Sequence, residues 1–404
     1  MAGAAGRAAA CMKRVLFLSN GHGEDVIALR VIEALRPLLP KARISAWPMV
    51  GEGAAYARQG MATLGAANRL PSAGFATLDP QLMLRDLGAG WIGTHLRQWR
   101  GARALRGQFD LAVAVGDIIP LAAARIAHTP TAFIGCAKSA YYRSRAFRYN
   151  GIEIAMMRRC MAVFPRDSRT AEELAQKGIA VHDLGNPMMD GLTPSLDELG
   201  LEQDRPVVAL LPGTRDDAEA NCVDLLAFLA PAASRQPLDL VFATAPGLRM
   251  DVLRRKLAAD ARLKAWSVAA GQPHFRGLVA TITGPGGMRA RIVEGRFADV
   301  LIAAELVVGM AGTGNEQAVG LGLPLVAVPS AGMQGERFVR MKAEYFGEAA
   351  LTLPRDAGII SAAVHDLLND PARRAAMGEA GRERMGRPGA SRAIAARIAE
   401  LVAA

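Results

Sequence analysis

Short apolar runs alternate with stretches of helical periodicity along the whole chain, and several of these runs end in glycine-containing turns. This alternation builds parallel sheets covered by helices, where loops at the carboxyl ends of the strands carry ligands. The pattern predicts strands over Arg14–Ser19, Arg43–Pro48, Asp110–Gly116, Thr131–Gly135 and Ala162–Pro165. It predicts more at "PVVALL", Leu238–Thr244, Leu306–Gly309 and Leu323–Pro329. Helices are predicted over Asp25–Leu38, Thr170–Lys177, Asp216–Ala233, Asn315–Gly320 and Glu336–Phe346. No solenoid repeat is present.

At 404 residues the chain has length for two hydrophobic cores. The acidic stretch 186–204, with Pro187 and Pro194, reads as a linker. It would separate a domain at 12–185 from one at 205–385, leaving 386–404 as a helical tail after the break at Gly386–Gly389. The Ala/Gly-rich residues 1–11 lack the pattern of a signal peptide, and Met12 reads as the true start.

Hydrophobic residues at 51% exclude disorder. No apolar run approaches the roughly 18 residues of a membrane span. The four cysteines are scattered, as for reduced thiols in the cytoplasm, and the six histidines form no cluster for a metal. A net charge of +10 favours phosphates or an anionic membrane surface. No nucleic-acid-binding signature accompanies it.

Four loops carry candidate chemistry. The first, Ser19 to Asp25, combines Gly21 and Gly23 with Asn20, His22, Glu24 and Asp25 at a helix start. It lacks the third glycine of a dinucleotide fingerprint. Its acids suit hydroxyl groups, and His22 is a candidate base, although Asp25 as a helix cap is the plainer alternative. The second loop presents Asp117 at the end of an apolar strand, as a base or as a cap. The third is Gly213, Thr214 and Arg215, where glycine, hydroxyl and guanidinium meet a helix start suited to phosphate. The fourth is Gly312, Thr313, Gly314 and Asn315 before Glu316, where small residues leave room for a diphosphate and Glu316 suits a ribose. The turn Gly284–Gly287 reads either as a nucleotide-base contact or as a plain turn.

Two segments mix aromatics with cations: one holds Trp91 and Trp99 among arginines, the other Tyr141, Tyr142, Arg143 and Arg145. They suit a lipid interface, or equally a buried face with snorkelling arginines.

Together, "LSNGHGED", "VAVGD", "VFPRD", "DLGNPMMDGL", "LLPGTR" and "GMAGTGNEQAVGLGLPLVAVP" resemble, in order, motifs of the lipid-A-disaccharide synthase-related glycosyltransferases. The resemblance runs from about Met12 to Leu368. It implies an α/β fold of two Rossmann-like domains facing a central cleft (GT-B type). It further implies a UDP-sugar donor in the second domain, a lipid-linked acceptor at the first, and inverting transfer of a GlcNAc-type sugar without metal or other cofactor. Asp117 would be the base, with His22 the alternative. Arg215 would face the diphosphate, and Gly312–Glu316 would hold the nucleotide. The enzyme would sit peripherally on the inner face of the cytoplasmic membrane. Two departures stand out. Asn20–Gly23 is more like the peptidoglycan GlcNAc transferases, and the placing of Glu316 is more like the UDP-GlcNAc 2-epimerases. An epimerase-like isomerase or hydrolase, and a non-catalytic nucleotide-sugar-binding protein, are the alternative functions.

Overall fold

The computed structural model describes residues 12–65, 91–195, 199–202, 204–214, 216–271, 275–332 and 334–404. The chain forms two compact units. One runs to Asp190 and includes Pro388–Ala404; the other is Gly191–Arg387.

The first unit holds a parallel sheet in the order β2-β1-β3-β4-β5. Its strands are β1 (Arg14–Asn20), β2 (Arg43–Val50), β3 (Leu111–Val115), β4 (Thr131–Gly135) and β5 (Ala162–Pro165). The described helices are α1 (His22–Leu35), α2 (Ala54–Arg58), α3 (Trp91–Ala104), α4 (Ile118–Ile126), α5 (Gly151–Met157) and α6 (Ser168–Gln176). The continuous apolar runs follow from burial on both faces. Along β1, Val15 and Phe17 enter one core while Leu16 and Leu18 enter the opposite one. The chain lays β2 on one side of β1 and β3 on the other, so a topological switch point lies between β1 and β3.

Residues 386–404 are not an appendage. Helix α14 (Ala390–Ala403) packs into the first unit against α1. Ile394, Ile398 and Val402 recur at a four-residue spacing and are buried, which gives the helix an apolar stripe to cover. Asp190 ties its start by accepting from the backbone N–H groups of Gly389 and Ser391. The stretch expected as a linker is also anchored at two points. Arg30 donates to the carbonyls of Pro187 and Met188, and Asp299 accepts from the backbone N–H of Ser195.

The second unit holds an eight-stranded sheet in the order β13-β12-β11-β6-β7-β10-β9-β8. Its strands are β6 (Val207–Leu211), β7 (Asp239–Thr244), β8 (Ser267–Ala270), β9 (Leu278–Thr283), β10 (Arg289–Glu294), β11 (Leu306–Gly309), β12 (Leu325–Ala327) and β13 (Ala350–Thr352). Its helices are α7 (Ala218–Arg235), α8 (Met250–Ala259), α9 (Phe297–Ala303), α10 (Thr313–Gly320), α11 (Glu336–Phe346), α12 (Ala357–Leu368) and α13 (Pro371–Met385). The ladder from β13 to β10 is parallel, whereas β9 runs antiparallel to both β8 and β10. The switch point here lies between β6 and β11.

Candidate active-site loops in the two units

In the first unit, β1 and β3 deliver their loops to the same end of the sheet. Asn20 closes β1, and its amide donates to Asp117 Oδ2 at 2.9 Å. Asp117 also caps α4, accepting from the Ile119 N–H at 2.9 Å through Oδ1. The cap expected as the alternative for Asp117 is therefore present, with its second oxygen turned to Asn20. Burial raises the Asp117 pKa, against the two hydrogen bonds that lower it.

Helix α1 begins at His22, three residues earlier than the pattern predicts, because the chain enters it directly from Gly21, which has φ 138°. His22 and Glu24 thus lie in its first turn. A Cβ on Gly21 would lie 2.8 Å from Glu24 Oε2, and one on Gly116 would lie 3.0 Å from Glu24 Cγ. Two glycines at the ends of neighbouring strands thereby make the space that Glu24 fills. Burial raises Glu24 to about 7, opposed by its own backbone N–H and reinforced by the Asp117 and Asp25 carboxylates.

Asp25 is not a helix cap. It is buried and accepts from Ser19 Oγ at 2.6 Å, and that hydroxyl lies 2.7 Å from Tyr56 Oη. Burial raises Asp25 to about 6. His22 is exposed at the surface, and partial desolvation by its surroundings followed by the Arg58 charge lowers its pKa, favouring neutral imidazole. Sequence reasoning missed a further polar group at the ends of β4 and β5. Arg166 donates to the Cys136 carbonyl at 2.8 Å, and Lys138 pairs with Glu153 at 2.8 Å. Among the described residues, the buried Tyr149 Oη, Glu153 Oε1, Asp167 Oδ2 and Asn20 Oδ1 find no hydrogen-bond partner. These partners are far apart in the chain, so no local motif marks them.

In the second unit, the glycine loops after β6 and β11 meet. A Cβ on Gly213, which has φ 86°, would lie 3.9 Å from Ala311 Cα and from the Met310 carbonyl oxygen. Asn221 anchors the first loop by donating to the Pro212 carbonyl at 2.9 Å. Thr214 is exposed at the turn, and Arg215 lies outside the described residues. Helix α10 starts at Thr313 after Gly312, and among the described residues no side chain caps it. Gly314 follows in its first turn, and Asn315 folds back so that its amide donates to the Gly309 carbonyl at 3.3 Å. Gly309 admits that fold, since a Cβ there would meet Asn315 Oδ1 at 2.0 Å. Glu316 is buried and paired with Lys342 of α11, whose ammonium also lies over the Phe338 and Tyr345 rings. Glu316 was expected to face ribose hydroxyls; here it has a cation partner. Gln334, which sequence reasoning did not single out, bridges the glycine loop. With its amide oriented to satisfy both groups, it donates to the Met310 carbonyl and accepts from the Gly312 N–H at 3.0 Å.

The turn Gly284–Gly287 is a plain turn between β9 and β10. The antiparallel pairing of these strands puts it at the amino end of β10, opposite the ligand-bearing loops.

The aromatic-basic segments divide. On α3, Leu96, Arg97, Trp99, Arg100 and Arg103 are exposed while Gln98 and Ala102 are buried. Gly101 does not break this helix, because the Trp47 ring fills the space beside it. The Trp91 backbone belongs to α3, but its side chain lies outside the described residues. Arg143 and Arg145 are exposed, and Tyr141 is half-buried beneath Arg169. Tyr142 does not fit a membrane-facing role. It is 1% exposed and packs on Phe147 at 5.5 Å between ring centroids, so its ring belongs to the core. Among the described residues no helix is long and apolar enough to cross a membrane, and no cluster of potential metal ligands occurs.

No protein-family model matches the chain. It is similar to a lipid-A-disaccharide synthase of Gloeothece citriformis, with 24% identity over 174 residues. That match covers 42% of this chain and 38% of the relative, well under half of the relative's length. Two solved structures align over nearly the whole chain. The first is Acinetobacter baumannii MurG, with TM-score 0.56 and 13% identity, covering 96% of this chain and 99% of that one. The second is a Neisseria meningitidis UDP-GlcNAc 2-epimerase bound to UDP-GlcNAc, with TM-score 0.56 and 13% identity, covering 96% and 100%. The fold is of the GT-B type. Likeness at this identity establishes architecture, two Rossmann-like domains, and leaves the reaction to be argued from the loops.

Proposed function

We propose that the protein is an inverting glycosyltransferase that moves a sugar, of GlcNAc type, from a UDP-sugar to a lipid-linked acceptor. The observation that carries this reading is the meeting of the Gly213 and Met310–Gly312 loops at the switch point of the second sheet, beside the uncapped start of α10. Unpaired backbone N–H groups at a helix start attract phosphate oxygens and stabilise a departing diphosphate. Arg215 and Thr214 would add a guanidinium and a hydroxyl, and Glu316, held by Lys342, would take the ribose. The donor is assigned to the second unit. Acceptor binding and activation are assigned to Asn20, Gly21, Glu24, Asp25 and Asp117 of the first, with His22 in the same turn. No metal or other cofactor enters the reaction.

The lipid character of the acceptor, and a peripheral position on the inner face of the cytoplasmic membrane, are supported by Leu96, Trp99 and their arginine neighbours on α3 and by exposed Arg143 and Arg145. The partial match to a lipid-A-disaccharide synthase points the same way. An epimerase-like reading is favoured by the alignment with the UDP-GlcNAc-bound 2-epimerase. A panel of radiolabelled nucleotide sugars, offered with and without total membrane lipid, tests the proposal. Label entering the lipid phase is the expected result. Epimerisation or UDP release without lipid would replace it with the second reading, and UDP binding without turnover would leave only a nucleotide-sugar-binding protein.

A further inference from the structure

We infer that Glu24 takes the proton from the acceptor hydroxyl, while Asp117 serves as the residue that holds the loops around it. This rests on the transferase reading above and names the base of that reaction.

The geometry distinguishes the acids of the first unit. Asp117 has each oxygen committed, Oδ1 to the Ile119 N–H and Oδ2 to the Asn20 amide. Asp25 is 2% exposed and bound to Ser19. Glu24 has neither restriction: among the described residues the one hydrogen bond on its carboxylate comes from its own backbone N–H, and the residue is half-buried rather than sealed in the core. Its position is built from the backbone, because Gly21 and Gly116 both lack the Cβ that would displace it. His22 precedes it by two residues, about 200° around the helix, and so points away from the Gly116 side. The charged and titratable groups acting on Glu24 come from every neighbouring element: Asp25 on α1, Tyr56 on α2, Asp117 after β3, Cys136 after β4 and Arg166 after β5. Four of these, Asp25, Tyr56, Asp117 and Cys136, are acids or weak acids around the carboxyl, and Arg166 is the single cation. A base in that setting titrates near the pH at which it works.

In the step, the acceptor O–H proton passes to a Glu24 carboxylate oxygen. The oxygen lone pair forms the new bond to the anomeric carbon. The bond from that carbon to the diphosphate oxygen breaks, and its electron pair leaves with UDP. Solvent then removes the proton from Glu24.

The test is the pH dependence of kcat/KM for Glu24→Gln, Glu24→Asp, Asp117→Asn and His22→Gln, alongside UDP binding by calorimetry. Wild type is expected to show an ascending limb near pH 7. Glu24→Gln is expected to lose that limb and about 10²–10⁴-fold in rate, with UDP affinity retained. Glu24→Asp is expected to keep the limb at reduced rate. Persistence of the limb in Glu24→Gln, or its loss in Asp117→Asn or His22→Gln, overturns the assignment. A wild-type protein that transfers no sugar with any nucleotide donor instead sinks the transferase reading. That outcome removes this inference with it, whereas a misplaced ascending limb in an active enzyme overturns the inference alone.

Discussion

The Asn20 amide and the Asp117 carboxylate meet at 2.9 Å although they lie 97 residues apart, joining the ends of β1 and β3 at the switch point of the first sheet. Asp117→Ala removes both this bond and the cap of α4, at a cost of about 1 kcal/mol for the cap alone. Asp117→Asn keeps the cap acceptor but sets one amide donor against another. Both variants are expected to lower turnover and to bind UDP as wild type does. Only the alanine variant is expected to melt earlier as well, which steady-state kinetics and thermal melts together check.

The carboxyls of Glu24 and Asp25 titrate near 7 and 6 rather than in the ordinary carboxylate range. A raised acid binds its proton more tightly in the folded chain than in the unfolded one. Folding stability from these groups is therefore full at low pH and falls as pH rises from about 4 to 7. Glu24→Gln removes the charged form and its burial cost. The variant is expected to melt above wild type at pH 8 and alongside it at pH 4.5, a pattern that differential scanning calorimetry reads directly. Equal melting of the two proteins at pH 8 would contradict the raised Glu24 pKa.

At the donor loops, Gly309→Ala drives a methyl into the Asn315 amide. Overpacking of this kind costs roughly 1–3 kcal/mol and should also abolish UDP binding by displacing the start of α10. Lys342→Met leaves buried Glu316 without its cation, and breaking such a pair costs about 3–5 kcal/mol. Chemical denaturation with parallel UDP titration checks both. Unchanged UDP affinity in both variants would remove this loop from the donor site.

On α3, replacing Leu96 and Trp99 by serine is expected to reduce co-sedimentation with vesicles containing anionic lipid and to leave the melting temperature near that of wild type. Tyr142→Ala should do the opposite. Loss of a buried ring costs about 3–5 kcal/mol, while vesicle binding by the folded fraction is kept.

Helix α14 makes a further prediction, because it belongs to the core of the first unit rather than to a dispensable tail. Ile398→Ala should destabilise that unit by about 2–5 kcal/mol. Hydrogen exchange is expected to show the added opening in α1 and β1 and not in β6 or β11.

Much of the fold was legible because its signals are local. Thr131–Gly135, Ala162–Pro165 and Leu306–Gly309 are strands with the predicted bounds, since buried parallel strands are continuous apolar runs between turn residues. The segment 267–294 was not legible as strands, and in it β10 is mostly buried yet carries Arg289, Arg291 and Glu294 among its six residues. β8 is largely exposed and β9 only partly buried, so the apolar signal thins where the sheet runs to its antiparallel edge. Glycine loops marked both switch points. Glu24 stood among the acceptor-side candidates, but its local sequence carries no sign that Gly116, 92 positions on, clears its place.

From the residues alone came the alternation of strands and helices, two domains' worth of core and the loops able to carry chemistry, because periodicity and turn chemistry act over a few neighbours. Tertiary structure decided which acid is committed and which is open, that Tyr142 is core, that Glu316 has Lys342 for a partner, and that the last helix returns to the first unit. Each of those depends on desolvation or contact between segments distant in the chain. Such energies exist only once the sheet has brought the segments together.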